Sequence, residues 1–161
     1  MYGSVEGFLT YHDERGRDVT EWTDDAQIAS ALLVSSEWLD NTYRATLPGH
    51  KTGGAAQVAE WPRTGVVDTY GYAVSSATVP DAIERATYEV ALRVLKDREV
   101  LSPDVAPNKY KRVSIEGAVS VDYADTSGGL QTQMPIVGQI LSGLLWQHAR
   151  TSVVSGRVSR A

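Results

Sequence analysis

The chain contains no cysteine, which excludes disulfide bonds, thiolate metal sites and a cysteine nucleophile. Phe8 is its only phenylalanine, so the core has to be built from aliphatic residues, tyrosines and tryptophans. No apolar run approaches the roughly 18 residues that a membrane-spanning helix needs, and residues 1–10 lack the basic and apolar regions of a secretion signal. The sequence therefore predicts a soluble protein that is not exported and does not bind a membrane.

Acidic residues are missing from the end of the chain. All 20 Asp and Glu residues lie at or before Asp125, and the only charged side chains after it are Arg150, Arg157 and Arg160. With 15 Lys and Arg residues, the formal net charge is -5 and the pI is near 5.1. This balance argues against a protein whose main task is to hold nucleic-acid phosphates on a basic surface.

Two helices are predicted in the first third of the chain. A first helix follows a Ser4 N-cap and runs to about Arg15, where Gly16 stops it. A second helix opens at Thr23 or Asp24, with Gln27 at capping-box spacing from Asp24. The apolar stripe that identifies the second helix consists of Ile28, Leu32, Ser35, Leu39 and Tyr43.

A long ordered loop is predicted from Pro48 to about Thr78, where Gly, Pro and Thr are frequent. Within it, Pro62 pushes Trp61 toward an extended backbone, and Gly65 can adopt a positive φ. Loops of this length are usually functional or ordered by a partner.

A third helix is predicted to begin at Pro80 and to end near Lys96 to Arg98. Two ion pairs at i,i+4 spacing, Asp81 with Arg85 and Glu89 with Arg93, support it. Its apolar face consists of Ile83, Thr87, Val90, Ala91, Val94 and Leu95.

The last third combines a hairpin, a helix and a tail. Residues 110–115 and 118–123 alternate as two short strands around a two-residue Glu116-Gly117 turn. A fourth helix follows Pro135, and its apolar stripe continues to His148. The predicted fold is mainly α, a small bundle of about four helices with a long loop, one β-hairpin and an extended C-terminal tail. Its domain spans residues 1–151, with the hairpin near 109–123, and the tail spans 152–161.

No residue pattern in the chain is typical of an enzyme. His12, His50 and His148 lie far apart and show no metal-ligand spacing, and the Gly-Gly pairs lack the lysine of a P-loop. Ser35-Ser36 has no base in a recognisable nucleophile motif. The sequence therefore predicts no catalytic residue, no cofactor and no metal ion.

Nucleic-acid binding is the alternative that the residues themselves leave open. Lys109, Lys111 and Arg112 alternate with Tyr110 and could form a surface on which bases stack. Three bases on one strand are also typical of a solvated face. A single-stranded-DNA-binding module that uses these four residues therefore stays an alternative function.

The order of the motifs resembles a family of head-tail connector, or adaptor, proteins of tailed phages, which are also labelled DnaT-like single-stranded-DNA-binding proteins. The resemblance covers most of the chain, and the order and spacing of the motifs are more specific than any one of them. The matching stretches are residues 2–6, 31–33 and 38–40, Gln57, the motif Trp61-Pro62-Arg63-Thr64-Gly65, residues 79–83 and 86–91, Val113, Gly117 and residues 140–145.

The resemblance implies a structural, non-enzymatic subunit of a virion that is made in the host cytoplasm and sits in the neck of the particle. It implies a ring, usually of about twelve copies, between the portal and a stopper or tail-completion protein. The packaged DNA would pass through the lumen without specific binding, and an acidic lumen would let it slide. A lumen found to be basic would contradict that expectation.

Within such a ring, several residues are candidates for contacts. Trp61 and Pro62 are expected to pack the long loop onto the helices. Arg63 is expected to pair with a carboxylate, either of its own chain or of an adjacent subunit, and the hairpin, with Tyr110 and Arg112, is a second candidate subunit contact. The C-terminal tail is expected to order on the portal through Val153, Val154, Arg157, Val158 and Arg160.

Overall fold

The computed structural model describes residues 1–22, 24–101, 112–115, 119–122 and 134–145, with the backbone alone for 112–115 and 119–122. Its elements confirm a mainly α fold with one two-stranded hairpin. None of the described helices is long and apolar enough to cross a membrane. The helices are α1 (Val5–Asp13), α2 (Asp25–Tyr43), α3 (Asp81–Lys96) and α4 (Pro135–Leu141), and the strands are β1 (His50–Lys51), β2 (Arg63–Thr64), β3 (Arg112–Ile115) and β4 (Val119–Asp122).

The starts of α1 and α2 follow local capping rules. Ser4 Oγ accepts a hydrogen bond from the backbone N of Gly7 at 3.0 Å, and Asp24 Oδ1 accepts one from Ala26 N at 2.9 Å. Each side chain therefore satisfies a backbone donor that the first turn leaves unpaired. Beyond α1, Gly16 adopts a positive φ of 62°.

Helix α3 is the central element of the bundle. Nine of its residues are buried, because α1, α2 and α4 all pack against it. The stripe predicted from sequence was too narrow, since it described one face of a helix that is covered on several. The buried residues are Ile83, Ala86, Thr87, Tyr88, Glu89, Val90, Ala91, Leu92 and Val94.

The close contact between α1 and α3 requires a glycine in α1. The Tyr88 side chain of α3 fills the space beside Gly7, where an added Cβ would overlap the phenol oxygen. The Tyr88 hydroxyl also accepts a hydrogen bond from Ser4 N at 3.3 Å. Gly7 therefore allows the N-terminal helix to approach the aromatic surface of α3.

A buried carboxylate on α3 connects three segments. Glu89 accepts hydrogen bonds from Arg17 Nη1 at 2.8 Å, Arg93 Nη1 at 3.0 Å and Tyr11 Oη at 3.0 Å. Burial by itself raises the pKa of Glu89, but the hydrogen bonds from Arg93, Arg17 and Tyr11 outweigh it, so the pKa is lowered. Of these contacts, the sequence predicted only the Glu89–Arg93 ion pair.

His12 completes this network on α1. Its Nε2 lies 3.1 Å from the carbonyl oxygen of Tyr88, and its Nδ1 lies 3.3 Å from Arg17 Nη1. A carbonyl can only accept and a guanidinium can only donate, so the neutral ring carries its proton on Nε2. Burial lowers the pKa of His12, in agreement with this neutral form.

The segment between α2 and α3 contains more structure than the predicted loop. Strands β1 and β2 pair antiparallel with His50 opposite Thr64 and Lys51 opposite Arg63, and a further bridge joins Val67 to Ala73. Gly49 makes the turn before β1 possible, because it has φ 67° and an added Cβ would overlap the carbonyl oxygen of Thr64. Two-residue strands have no periodicity from which a sequence could predict them.

Two predicted boundaries in the last third were wrong. The hairpin register pairs Ile115 with Val119, so three residues separate the paired ends instead of the two predicted. Helix α4 ends at Leu141 and passes into a turn through Leu145, although its apolar stripe continues. Apolar spacing cannot distinguish a helix from a turn that buries the same face, as Leu144 does here. His148 lies outside the described residues.

Candidate nucleic-acid interface

Two tyrosine side chains project from the loop after β2. Tyr70 is 84% exposed and Tyr72 is 73% exposed, which makes them the most exposed aromatic residues in the described part of the chain. A tyrosine ring is largely apolar, so exposed rings gain nothing from folding and are typical of binding surfaces. Neither residue belongs to a motif that would mark it in the sequence.

Asp68 is hydrogen-bonded across this tyrosine loop, residues 67–73. Its Oδ1 accepts hydrogen bonds from the backbone N of Tyr70 at 2.9 Å and of Tyr72 at 2.8 Å, and its own N donates to the Tyr72 carbonyl at 2.9 Å. Thr69 N donates to the carbonyl of Gly143 at 3.1 Å, which ties the loop to the turn after α4. The two rings therefore stand on a pre-organised support, which lowers the entropic cost of binding.

A groove of about 980 Å³ lies beside the tyrosine loop. One wall is formed by residues 47–50 and 65, another by residues 67–70, and a third by residues 142–145 of the turn after α4. Its size is at the upper end of the range for ligand sites in proteins. Tyr70 lines this groove, so a ligand stacked on its ring has room to continue along the surface.

A smaller cationic pocket of about 550 Å³ shares His50 with the groove. In it the buried carboxylate of Glu60 contacts Arg44 Nε at 3.0 Å, Lys51 Nζ at 3.2 Å and Arg63 Nη1 at 2.6 Å. Three cationic side chains thus surround one carboxylate of the lining. Asp40 accepts a hydrogen bond from Glu60 N at 3.0 Å and reduces the local positive excess, without cancelling it.

Arg63 is the innermost of these cations and is only 7% exposed. Besides Glu60, it donates from Nε to the carbonyl oxygen of Pro48 at 2.6 Å and from Nη2 to that of Gly49 at 2.8 Å. Its own chain therefore supplies the carboxylate, which is one of the two partners that the sequence left open. The guanidinium braces the wall of the groove and leaves little of its surface for a contact with another subunit.

Trp61 packs the same loop onto the helices. Trp61 is buried beside Tyr2, Leu39 and Ile83, and the peptide bond to Pro62 is cis. The Tyr2 hydroxyl accepts from Trp61 N at 3.0 Å and donates to Asp40 Oδ1 at 2.6 Å. Burial, with the hydrogen bond to Asp40 as a second cause, raises the pKa of Tyr2. Tyr2 therefore connects α2 to the loop through its hydroxyl group.

The other residues singled out from sequence cannot be placed in a site. Lys109, Tyr110 and Lys111 lie outside the described residues, and Arg112 is described only by its backbone, which pairs with Asp122. The proposed portal contacts of the tail, Val153, Val154, Arg157, Val158 and Arg160, lie outside the described residues as well. Within the described part, no group of three or more His, Asp and Glu side chains is arranged to hold a metal ion.

Comparison with known proteins gives one match. A family model with the description "Putative DnaT-like ssDNA binding protein" matches residues 1–161. No curated protein and no solved structure matches the chain.

Proposed function

We propose, from the premise that this chain belongs to the family of DnaT-like ssDNA binding proteins, that it binds single-stranded DNA through the tyrosine loop and the adjoining groove. The observation that carries the proposal is the pair of exposed rings, Tyr70 and Tyr72, on a loop whose backbone donates two hydrogen bonds to Asp68. Every nucleobase has a flat face that can stack on such a ring, so binding of this kind tolerates any base sequence.

The acidic composition decides which force dominates. A chain with net charge -5 repels the phosphate backbone at long range, so electrostatic attraction cannot supply most of the affinity. Base stacking is short-ranged and is not screened by salt. The cationic side chains of the pocket lie next to the groove and can add a local attraction. We therefore expect moderate affinity that is carried mainly by the tyrosines.

Replacing either tyrosine with alanine tests this function. A stacked base contributes about 1–3 kcal/mol, so Tyr70→Ala and Tyr72→Ala should each weaken binding of a fluorescent oligothymidine by roughly 5- to 150-fold. Fluorescence anisotropy at low and at physiological salt measures this change. Leu33→Ala is the matched control, because Leu33 is also exposed, at 47%, but lies on α2 outside both the groove and the pocket.

The same titration distinguishes this interface from the alternative one that the sequence predicted, on the β-strand that contains Tyr110 and Arg112. If Lys109→Ala and Tyr110→Ala weaken binding while both loop variants bind like the wild type, the interface lies on the strand. A wild-type protein that fails to bind oligothymidine even at low salt contradicts the proposed function.

The connector role is a second candidate, which the exposed apolar side chains of Leu33 and Val34 on α2 favour. Adjacent exposed aliphatic residues on one helix are typical of a surface that another protein covers. Here the chain would form a ring of about twelve copies between the portal and a stopper or tail-completion protein, in the neck of a virion. In both functions the chain acts by binding, without catalysis.

Electron microscopy of the intact particle tests the connector role. Rings of this protein at the neck are expected, and Leu33→Asp should prevent them, because a charge cannot be buried between subunits without a partner. Particles that join heads to tails without this protein would exclude the role. A monomer in solution is compatible with it if the portal templates the ring.

A further inference from the structure

We infer that the cationic pocket around Glu60 binds a backbone phosphate of the strand that stacks on the tyrosine loop, and that Arg44 makes the contact. The inference rests on the proposed single-stranded-DNA function and adds to it a second contact point of different chemistry.

The three cations of the pocket have different roles. Arg63 is buried and donates to backbone carbonyls, and Lys51 Nζ donates to the carbonyl of Gln57 at 3.1 Å in addition to its contact with Glu60. The positive charges of Arg63 and Lys51 more than offset the negative charge of Glu60, but the hydrogen-bond donors of both side chains are directed inward. Arg44 lies on the outside, and its side chain is 61% exposed.

Glu60 positions Arg44 for a ligand. The carboxylate accepts from Arg44 Nε at 3.0 Å, and Asn41 Oδ1 accepts from Arg44 Nη2 at 3.3 Å. Contacts at two nitrogens restrain a side chain that otherwise samples many rotamers, so less entropy is lost when an anion binds. A planar guanidinium held in this way is suited to phosphate oxygens.

The pocket also adjoins the groove. His50 lines both cavities. Lys51 follows His50 in β1, and the pairing of β1 with β2 places Lys51 opposite Arg63. A DNA strand that runs from Tyr70 along the groove therefore passes His50 before it reaches Arg44. Beyond His50, at its junction with the groove, the pocket is lined by Gly54, Ala55 and charged residues and contains no Phe, Trp or Tyr on which a base could stack. The backbone is the part of the ligand that fits.

The salt dependence of oligothymidine binding tests the contact at Arg44. One lost phosphate contact should lower the slope of log K against log salt by about 0.7, so we expect Arg44→Gln to show this decrease together with a several-fold loss of affinity at low salt. Quenching of tyrosine fluorescence by the bound bases should persist. Arg44→Lys keeps the charge and should keep most of the slope.

Arg98→Gln is the matched control, because Arg98 is exposed, carries the same charge and lines neither the groove nor the cationic pocket. A thermal melt of each variant shows that the fold is retained. If the wild type binds and Arg44→Gln has an unchanged slope, or if Arg98→Gln lowers the slope equally, the phosphate contact is refuted while the stacking function stands. If the wild type does not bind, both fail.

Discussion

Replacing Arg63 with alanine is expected to lower the free energy of unfolding by about 3–5 kcal/mol. The variant leaves Glu60 buried without its shortest ion pair and removes the donors to the carbonyls of Pro48 and Gly49. Buried acceptors that lose their partner are costly because water cannot replace it. Urea denaturation monitored by tryptophan fluorescence measures the change.

Two further variants show whether the loss of stability comes from the hydrogen bonds of Arg63 or from the loss of a positive charge alone. Arg63→Lys keeps the charge but cannot donate to three separate acceptors in a plane, so it should recover only part of the loss. Arg85→Ala removes an exposed ion pair with Asp81, whose atoms are 3.5 Å apart, and should cost less than about 1 kcal/mol. An Arg63→Ala protein as stable as the Arg85→Ala protein would contradict the assignment.

Replacing Glu89 with glutamine is expected to lower the free energy of unfolding by about 3 kcal/mol. Glutamine keeps the shape but removes the negative charge between Arg17 and Arg93, and its amide group cannot accept from all three donors that Glu89 satisfies. The expected loss is smaller than for a fully buried ion pair, because Arg17 and Arg93 are partly exposed and water can solvate them.

The pH dependence of stability gives an independent measurement of the same carboxylate. The pKa of Glu89 is lowered on folding, so its contribution is present above its ordinary value of 4.5 and is lost as the pH falls through the lower folded value. The pKa of His12 is lowered as well, so the protein also loses stability as the pH falls below 6.5. Urea midpoints of the wild type and Glu89→Gln should therefore converge on acidification, whereas parallel curves would show that Glu89 is not ionised in the fold.

The two proposed functions make opposite demands on the tyrosine loop. A single-stranded-DNA-binding protein needs the rings of Tyr70 and Tyr72 accessible in its functional state, and it gains affinity from them. A connector that lets DNA slide gains nothing from rings that hold bases, so there the same rings would contact protein. The effect of Tyr70→Ala on oligothymidine binding and on head-tail joining therefore discriminates between the two.

The helices were largely determined by the sequence itself. Ser4 and Asp24 are short polar side chains at positions where a helix start needs an acceptor, and they cap α1 and α2 as predicted. Pro80 precedes α3, which ends at Lys96 within the predicted range. These features depend on residues only a few positions apart, so the local chain carries enough information to predict them.

Tertiary structure alone decided what the chain presents to a ligand. Arg44, Glu60 and Arg63 meet because β1 and β2 pair across the loop, and Glu89 becomes buried because Arg17 and Tyr11 from the N-terminal region cover it. The sequence indicated that Trp61 and Pro62 pack inward, but nothing local showed that Tyr70 and Tyr72 stay outside. Exposure and pairing depend on which distant segments cover a side chain, and apolar spacing within one segment does not carry that information.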